Sequence, residues 1–126
     1  MLTLNLTSRV PLYEQIYSGI VRLISAGVLK PGDRIPTVRA LSAEYGINPN
    51  TVARAYKQLE AEGYIISRVG RGSFVADDGS AVRALRETAR KKLLDAAAEA
   101  KSAGLTQEET ISTVKEAYYA GNKERN

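Results

Sequence analysis

Apolar side chains recur at helical spacing along the first half of the chain, alternate briefly near its middle, and return to helical spacing afterwards. In PLYEQIYSGIVRLISAG, Leu12, Ile16, Ile20, Leu23 and Ile24 fall on one stripe, which predicts an amphipathic helix opened by Pro11 and ended before Gly27. A polar arm precedes it. In LKPGDRIP, Pro31-Gly32 signals a turn, and Pro36 disfavours helix immediately before it. Thr37 then caps a short helix, VRALSAEY, with Val38, Leu41 and Tyr45 spaced for burial and Gly46 as the break. The next helix lies within INPNTVARAYKQLEAEGY. Asn48 is placed as its N-cap, Pro49 occupies the first helical position, and Gly63 is the stop.

This last helix has two unlike sides. Val52, Ala55, Tyr56 and Leu59 form the apolar stripe. Opposite it stand Asn50, Arg54 and Lys57, with Thr51 at the shoulder, while Glu60 and Glu62 are held back to the far end. A solvated face usually mixes both signs of charge. Amide, hydroxyl and guanidinium near a helix N-terminus suit a polyanion with readable edges.

After Gly63 the period changes. YIISRV and SFVA are β-branched and aromatic runs around Gly70-Arg71-Gly72, which predicts a β-hairpin. Two helices joined by a tight glycine-containing turn, preceded by one helix and followed by a basic-tipped hairpin, describe a winged helix-turn-helix. The expected fold class is mainly α with a small β-hairpin. DDGS at 77–80 is the expected hinge. Beyond it AVRALRETARKKLLDAAAEAKSAG predicts a helix with Val82, Leu85, Leu93, Leu94 and Ala97 as its apolar members and Gly104 as its stop. Thr106 to Glu109 matches a capping box and opens a last helix bearing Ile111, Val114 and Tyr118. These two helices, roughly forty-five residues, are too small to bury a core alone and need the first domain or a second copy of the chain. The predicted division is a winged helix-turn-helix domain over 1–76 and a short helical segment over 77–126.

Composition narrows the chemistry. The 126 residues include neither His nor Cys, which removes His- and Cys-dependent nucleophiles, disulfides and the usual zinc sites. Nothing argues for an enzyme or a cofactor. No apolar run approaches bilayer length and the N-terminus lacks a signal-peptide pattern, so a cytoplasmic protein is expected. The net charge is +4. Residues 1–76 hold nine Lys or Arg against five Asp or Glu, whereas the remaining basic and acidic residues cancel. The excess positive charge therefore lies in the winged domain, although a charge of this size is also a common solubility device.

From Pro11 to Val75 the chain resembles the DNA-binding domain of the GntR family of bacterial transcription regulators. LKPGDRIPTVRALS, NPNTVARAYKQLE and GRGSFV match in order and spacing. The short two-helix tail resembles the YtrA-type subfamily. That resemblance implies a tail used for dimerisation, and a repressor of the kind that commonly controls ABC-transporter operons.

Candidate contacts follow from residue chemistry. Asn48, Asn50, Thr51 and Arg54 occupy the first turns of the helix that would enter the major groove, with Arg54 suited to guanine and Asn50 to adenine. For Asn48, capping and base contact both remain. Lys57 suits a phosphate. Arg39, which the resemblance implies is a DNA contact, suits phosphate or guanine, with a salt bridge to Glu44 or Asp33 as the structural alternative. Thr37 caps its helix and presents a backbone N–H to phosphate, and Arg34 keeps both readings. In the wing, Arg68, Gly70 and Arg71 suit a close backbone approach and a minor-groove contact, against a plain tight turn with solvated arginines. Ile20, Tyr56, Leu59 and Phe74 read as core, and Tyr118 and Tyr119 as an interface pair. The expected partners are an inverted-repeat operator in double-stranded DNA and a second copy of the chain, with a small-molecule effector left open. The rival reading is a winged-helix protein-interaction module, which predicts an apolar or acidic face where Asn50, Arg54 and Lys57 stand.

Overall fold

The structure, a computed structural model, describes residues 1–125, the last five as helical backbone alone. Its elements run α1 (Leu12–Ser25), β1 (Arg34–Ile35), α2 (Val38–Tyr45), α3 (Pro49–Ala61), β2 (Ile65–Arg68), β3 (Gly72–Val75), α4 (Ser80–Ser102) and α5 (Gln107–Arg125). They group into two compact units, Met1–Glu87 and Thr88–Asn126.

The first unit is built as the hydrophobic stripes require. Ile16, Ile20 and Ile24 of α1 meet Leu41 of α2 and Val52, Ala55, Tyr56 and Leu59 of α3 in one core, closed by Ile35, Tyr64, Ile65 and Val75. The turn between α2 and α3 depends on Gly46, whose φ of 65° is left-handed and strains any residue with a Cβ. The Ile47 N–H then closes back on the Ser42 carbonyl at 3.0 Å. At the end of α3 the Tyr64 N–H returns to the Leu59 carbonyl at 2.9 Å, a Schellman closure that aims the chain into β2.

The expected hairpin is the β2–β3 pair, antiparallel, with Ile65 opposite Val75 and Arg68 opposite Gly72. A third strand joins it: Arg34 pairs with Phe74 and Ile35 with Ser73, giving the order β1-β3-β2. Hydrogen bonds from Gly32 N–H to the Val75 carbonyl (2.9 Å) and from Val75 N–H to the Asp33 carbonyl (2.8 Å) extend the pairing. Two residues are too few to show a strand period, and Pro36 ends β1 at once, so only the turn was legible there.

Three further placements depart from expectation. Leu2, in the supposedly polar arm, is buried at 8% exposure. It lies over Gly19, while its N–H donates to the Tyr45 hydroxyl and its carbonyl accepts from that hydroxyl, both at 2.8 Å. Phe74 is only partly buried, because it points to the face of the sheet where Arg68 lies 5.9 Å from its ring. In α4 the buried residues are Ala81 and Ala84, whereas Val82 is 53% exposed. Small side chains let α4 approach closely enough for the Tyr64 hydroxyl to reach the Ala84 carbonyl at 3.3 Å.

In the second unit Thr106 and Glu109 form the predicted reciprocal cap, each side chain accepting the other's backbone N–H at 3.1 Å. Among the described residues no side chain beyond Ala84 is buried; Leu93, Leu94, Ile111, Val114, Tyr118 and Tyr119 are all exposed. A groove of about 500 Å³ within this unit is lined by Ala97, Lys101, Leu105, Gln107, Thr110 and Ile111.

Candidate nucleic-acid interface

Burial of one stripe of α3 decides what the opposite stripe presents. Asn50, Arg54 and Lys57 are exposed, and Thr51 is half-buried beside Val52. The Asn48 side-chain oxygen accepts the Asn50 N–H at 2.8 Å and its carbonyl accepts the Thr51 N–H at 3.0 Å, so Asn48 caps the helix, and Pro49 has no N–H to satisfy. Arg54 is not splayed into solvent. Its guanidinium carbon lies 3.7 Å from the centroid of the Tyr13 ring, on the first turn of α1.

The helix before it is anchored in the same way. The Thr37 hydroxyl accepts the Ala40 N–H at 3.0 Å, which puts Thr37 and Arg39 at the N-terminal turn of α2. Arg39 is exposed, while Asp33, one of its two possible ion partners, accepts the Lys30 N–H at 2.8 Å within the turn. Tyr56 ties α3 to the approach to α2, its hydroxyl donating to the Pro36 carbonyl at 2.6 Å. Burial pushes that phenol above its ordinary ionisation range. The Tyr17 phenol is pushed up too, first by burial and then by its 3.0 Å hydrogen bond to Glu62.

The wing gathers a second basic group. Arg68 and Arg71 are exposed on either side of Val69 and Gly70, and Val69 has no protein neighbour covering it. Arg34 joins them through β1, which the hairpin reading alone did not suggest. A Cβ built on Gly72 would stand 3.3 Å from the Arg34 Nε and Nη2, and Gly72 has a φ of 104°, so a glycine admits both the turn and the arginine. The predicted residues thus fall into two groups: Thr37, Arg39, Asn48, Asn50, Thr51, Arg54 and Lys57 on α2, α3 and their caps, and Arg34, Arg68, Gly70 and Arg71 at the sheet. Tyr13 was missed, since its place on an apolar helix face gave no sign of a partner on α3.

The arm contributes to this end of α1. The Gln15 amide donates to the carbonyls of Asn5 (3.0 Å) and Val10 (2.8 Å) and accepts the Asn5 N–H at 2.8 Å. These three bonds fix how the chain enters α1 and hence where Tyr13 stands. Among the described residues no helix is long and apolar enough to cross a membrane.

Comparison with known proteins gives the same frame. The model of the family described as bacterial regulatory proteins, gntR family, matches residues 12–75. The HTH-type transcriptional repressor YtrA of Bacillus subtilis (strain 168) is 42% identical over 78 residues, which make up 62% of this chain and 60% of that repressor. The match therefore spans less than two thirds of the repressor's length. The solved structure of YtrA from Sulfolobus acidocaldarius, a GntR-family transcription factor, superimposes with a TM-score of 0.63 at 30% identity, over 95% of this chain and 98% of that one. AraR(DBD) in complex with operator ORE1 superimposes with a TM-score of 0.52 at 30% identity, over 60% of this chain and 93% of that one.

Proposed function

This chain belongs to the gntR family of bacterial regulatory proteins, and from that premise we propose that it is a sequence-specific DNA-binding transcriptional regulator that represses by occupying an operator. The observation that carries the reading is the exposed face of α3. It presents amide, hydroxyl and guanidinium groups near the helix N-terminus and keeps its carboxylates at the opposite end. Such a face matches the donor and acceptor pattern of base edges in the major groove. The Arg34, Arg68 and Arg71 cluster supplies phosphate or minor-groove contacts that position the helix. A protein of this kind works where the chromosome is, in the bacterial cytoplasm.

The protein acts as a homodimer through residues 77–126. Leu93, Leu94, Ile111, Val114, Tyr118 and Tyr119 leave apolar side chains exposed on a unit whose described residues include no fully buried side chain, and a second copy covers them. One recognition helix also reads too few base pairs to single out an operator, so two half-sites in inverted repeat follow. The groove at Lys101 and Thr110 has the volume of a small-molecule site and is where an effector would bind.

Binding-site selection from randomised duplexes at near-physiological salt tests this reading. Enrichment of an inverted repeat, half-sites about one helical turn apart, is expected. Recovery of unenriched DNA from a folded, dimeric protein would overturn it.

A further inference from the structure

One contact within the proposed reading face is left without a role by general helix-turn-helix geometry: the stack of Arg54 on Tyr13. The two residues belong to different helices, and the guanidinium carbon sits 3.7 Å from the ring centroid. At that distance the cation rests against the electron-rich face of the ring. A guanidinium held by its face keeps its edge N–H groups available, and those are the donors that pair with O6 and N7 of a guanine. An unrestrained arginine must surrender rotamer freedom to do the same.

We infer that Tyr13 is a positioning residue for sequence specificity, holding Arg54 in the conformation that reads a guanine. The inference rests on the reading of α3 as the base-reading helix and deepens it. Tyr13 is suited to the task because it is itself held. It is half-buried against the core, its hydroxyl donates to Glu14 Oε1 at 3.2 Å, and the Gln15 clamp fixes the entry to α1 just before it. Ordinary packing of an aromatic residue would support the fold equally for every DNA sequence. A platform under one base-reading side chain affects one base pair.

The test uses the full chain and the operator found by selection. Affinities are measured for that operator and for single-base-pair variants of it. Arg54→Ala first identifies the base pair that depends on Arg54. Tyr13→Phe, which keeps the ring, is expected to retain discrimination there. Tyr13→Leu, and replacement of Tyr13 by pentafluorophenylalanine, which keeps the shape but removes the electron-rich face, are expected to lower it about two- to fivefold, the size of an exposed cation–π contact. The other base pairs should be unaffected. Should Tyr13→Leu fold poorly, the fluorinated ring decides the matter.

Unchanged discrimination with the fluorinated ring, or an equal loss at every base pair, overturns the inference and leaves the reading of α3 intact. So does a loss in Tyr13→Phe as large as that in Tyr13→Leu, which would make the hydroxyl the contact. If the unaltered protein selects no motif, or Arg54→Ala shows no dependence on any one base pair, the reading of α3 fails and takes this inference with it.

Discussion

At the scale of single residues, Arg54 and Tyr56 sit two positions apart on α3 and answer to different physics. Arg54 is exposed and stacked, so on the proposed reading its loss weakens DNA binding and spares the fold. Arg54→Ala should cost about 1–3 kcal/mol on the cognate operator and relax one base position, read by competition binding against single-base variants; equal weakening on all sequences would make it a phosphate contact only. Tyr56 is buried and donates to Pro36, so its loss is felt by the fold. Tyr56→Phe should lower unfolding free energy by about 1–2 kcal/mol, since a partner carbonyl loses its hydrogen bond. The sign of the pH effect follows from burial. The folded-state phenol is pushed above its ordinary value, so an unfolded chain ionises near pH ~10 while the folded one stays protonated. Stability from this group is therefore full below about pH 10 and is lost as pH rises past it. Urea titrations across that range should show the decline, smaller in Tyr56→Phe; some remains because Tyr17 is raised as well. An identical decline in both proteins would remove Tyr56 as its source.

At the scale of elements, α3 and the wing have different work on the proposed reading. A helix face offers rigid, spaced donors, whereas a glycine-bounded hairpin tip offers close backbone approach and flexible charge. Arg71→Ala should therefore weaken binding on all sequences and reduce the slope of log affinity against log salt by about one unit, with the preferred motif unchanged. A shifted motif after repeated selection would show that the wing reads bases. The caps of α2 and α3, the Gly46 break, and the composition of the α3 faces were legible because each is settled within a few residues of the chain. The Thr37 cap at 3.0 Å and the Asn48 cap at 2.8 Å are such local bonds. β1 was not legible, since a two-residue strand exists only through pairing with β3.

At the scale of the whole molecule, the tail has two parts. Ala81 and Ala84 are buried and belong to the first unit, which extends to Glu87, whereas the exposed apolar residues of α4 and α5 lie beyond it. A chain ending at Glu87 should fold, sediment as a monomer and bind the full operator far more weakly than the complete protein. A chain ending at Ala76 should in addition lose stability, because Tyr64 and the core lose their cover from α4. Sedimentation and thermal unfolding of the three chains check both statements, and a dimer from the chain ending at Glu87 would place the dimer contact elsewhere.

The sequence by itself determined the helices, their ends and the character of each face, since helical periodicity and capping act between neighbours three or four residues apart. It also determined that Asn50 and Arg54 stand on the outer face of α3, because the buried stripe leaves them no other side. Only the tertiary structure decided which distant residues meet. It put Leu2 under Tyr45, 43 positions away, left Phe74 half-exposed among arginines, brought Arg34 to the wing, and set Tyr13 beneath Arg54. Such pairings depend on how elements pack and where strands register, and no local pattern encodes the distance between residues on separate helices.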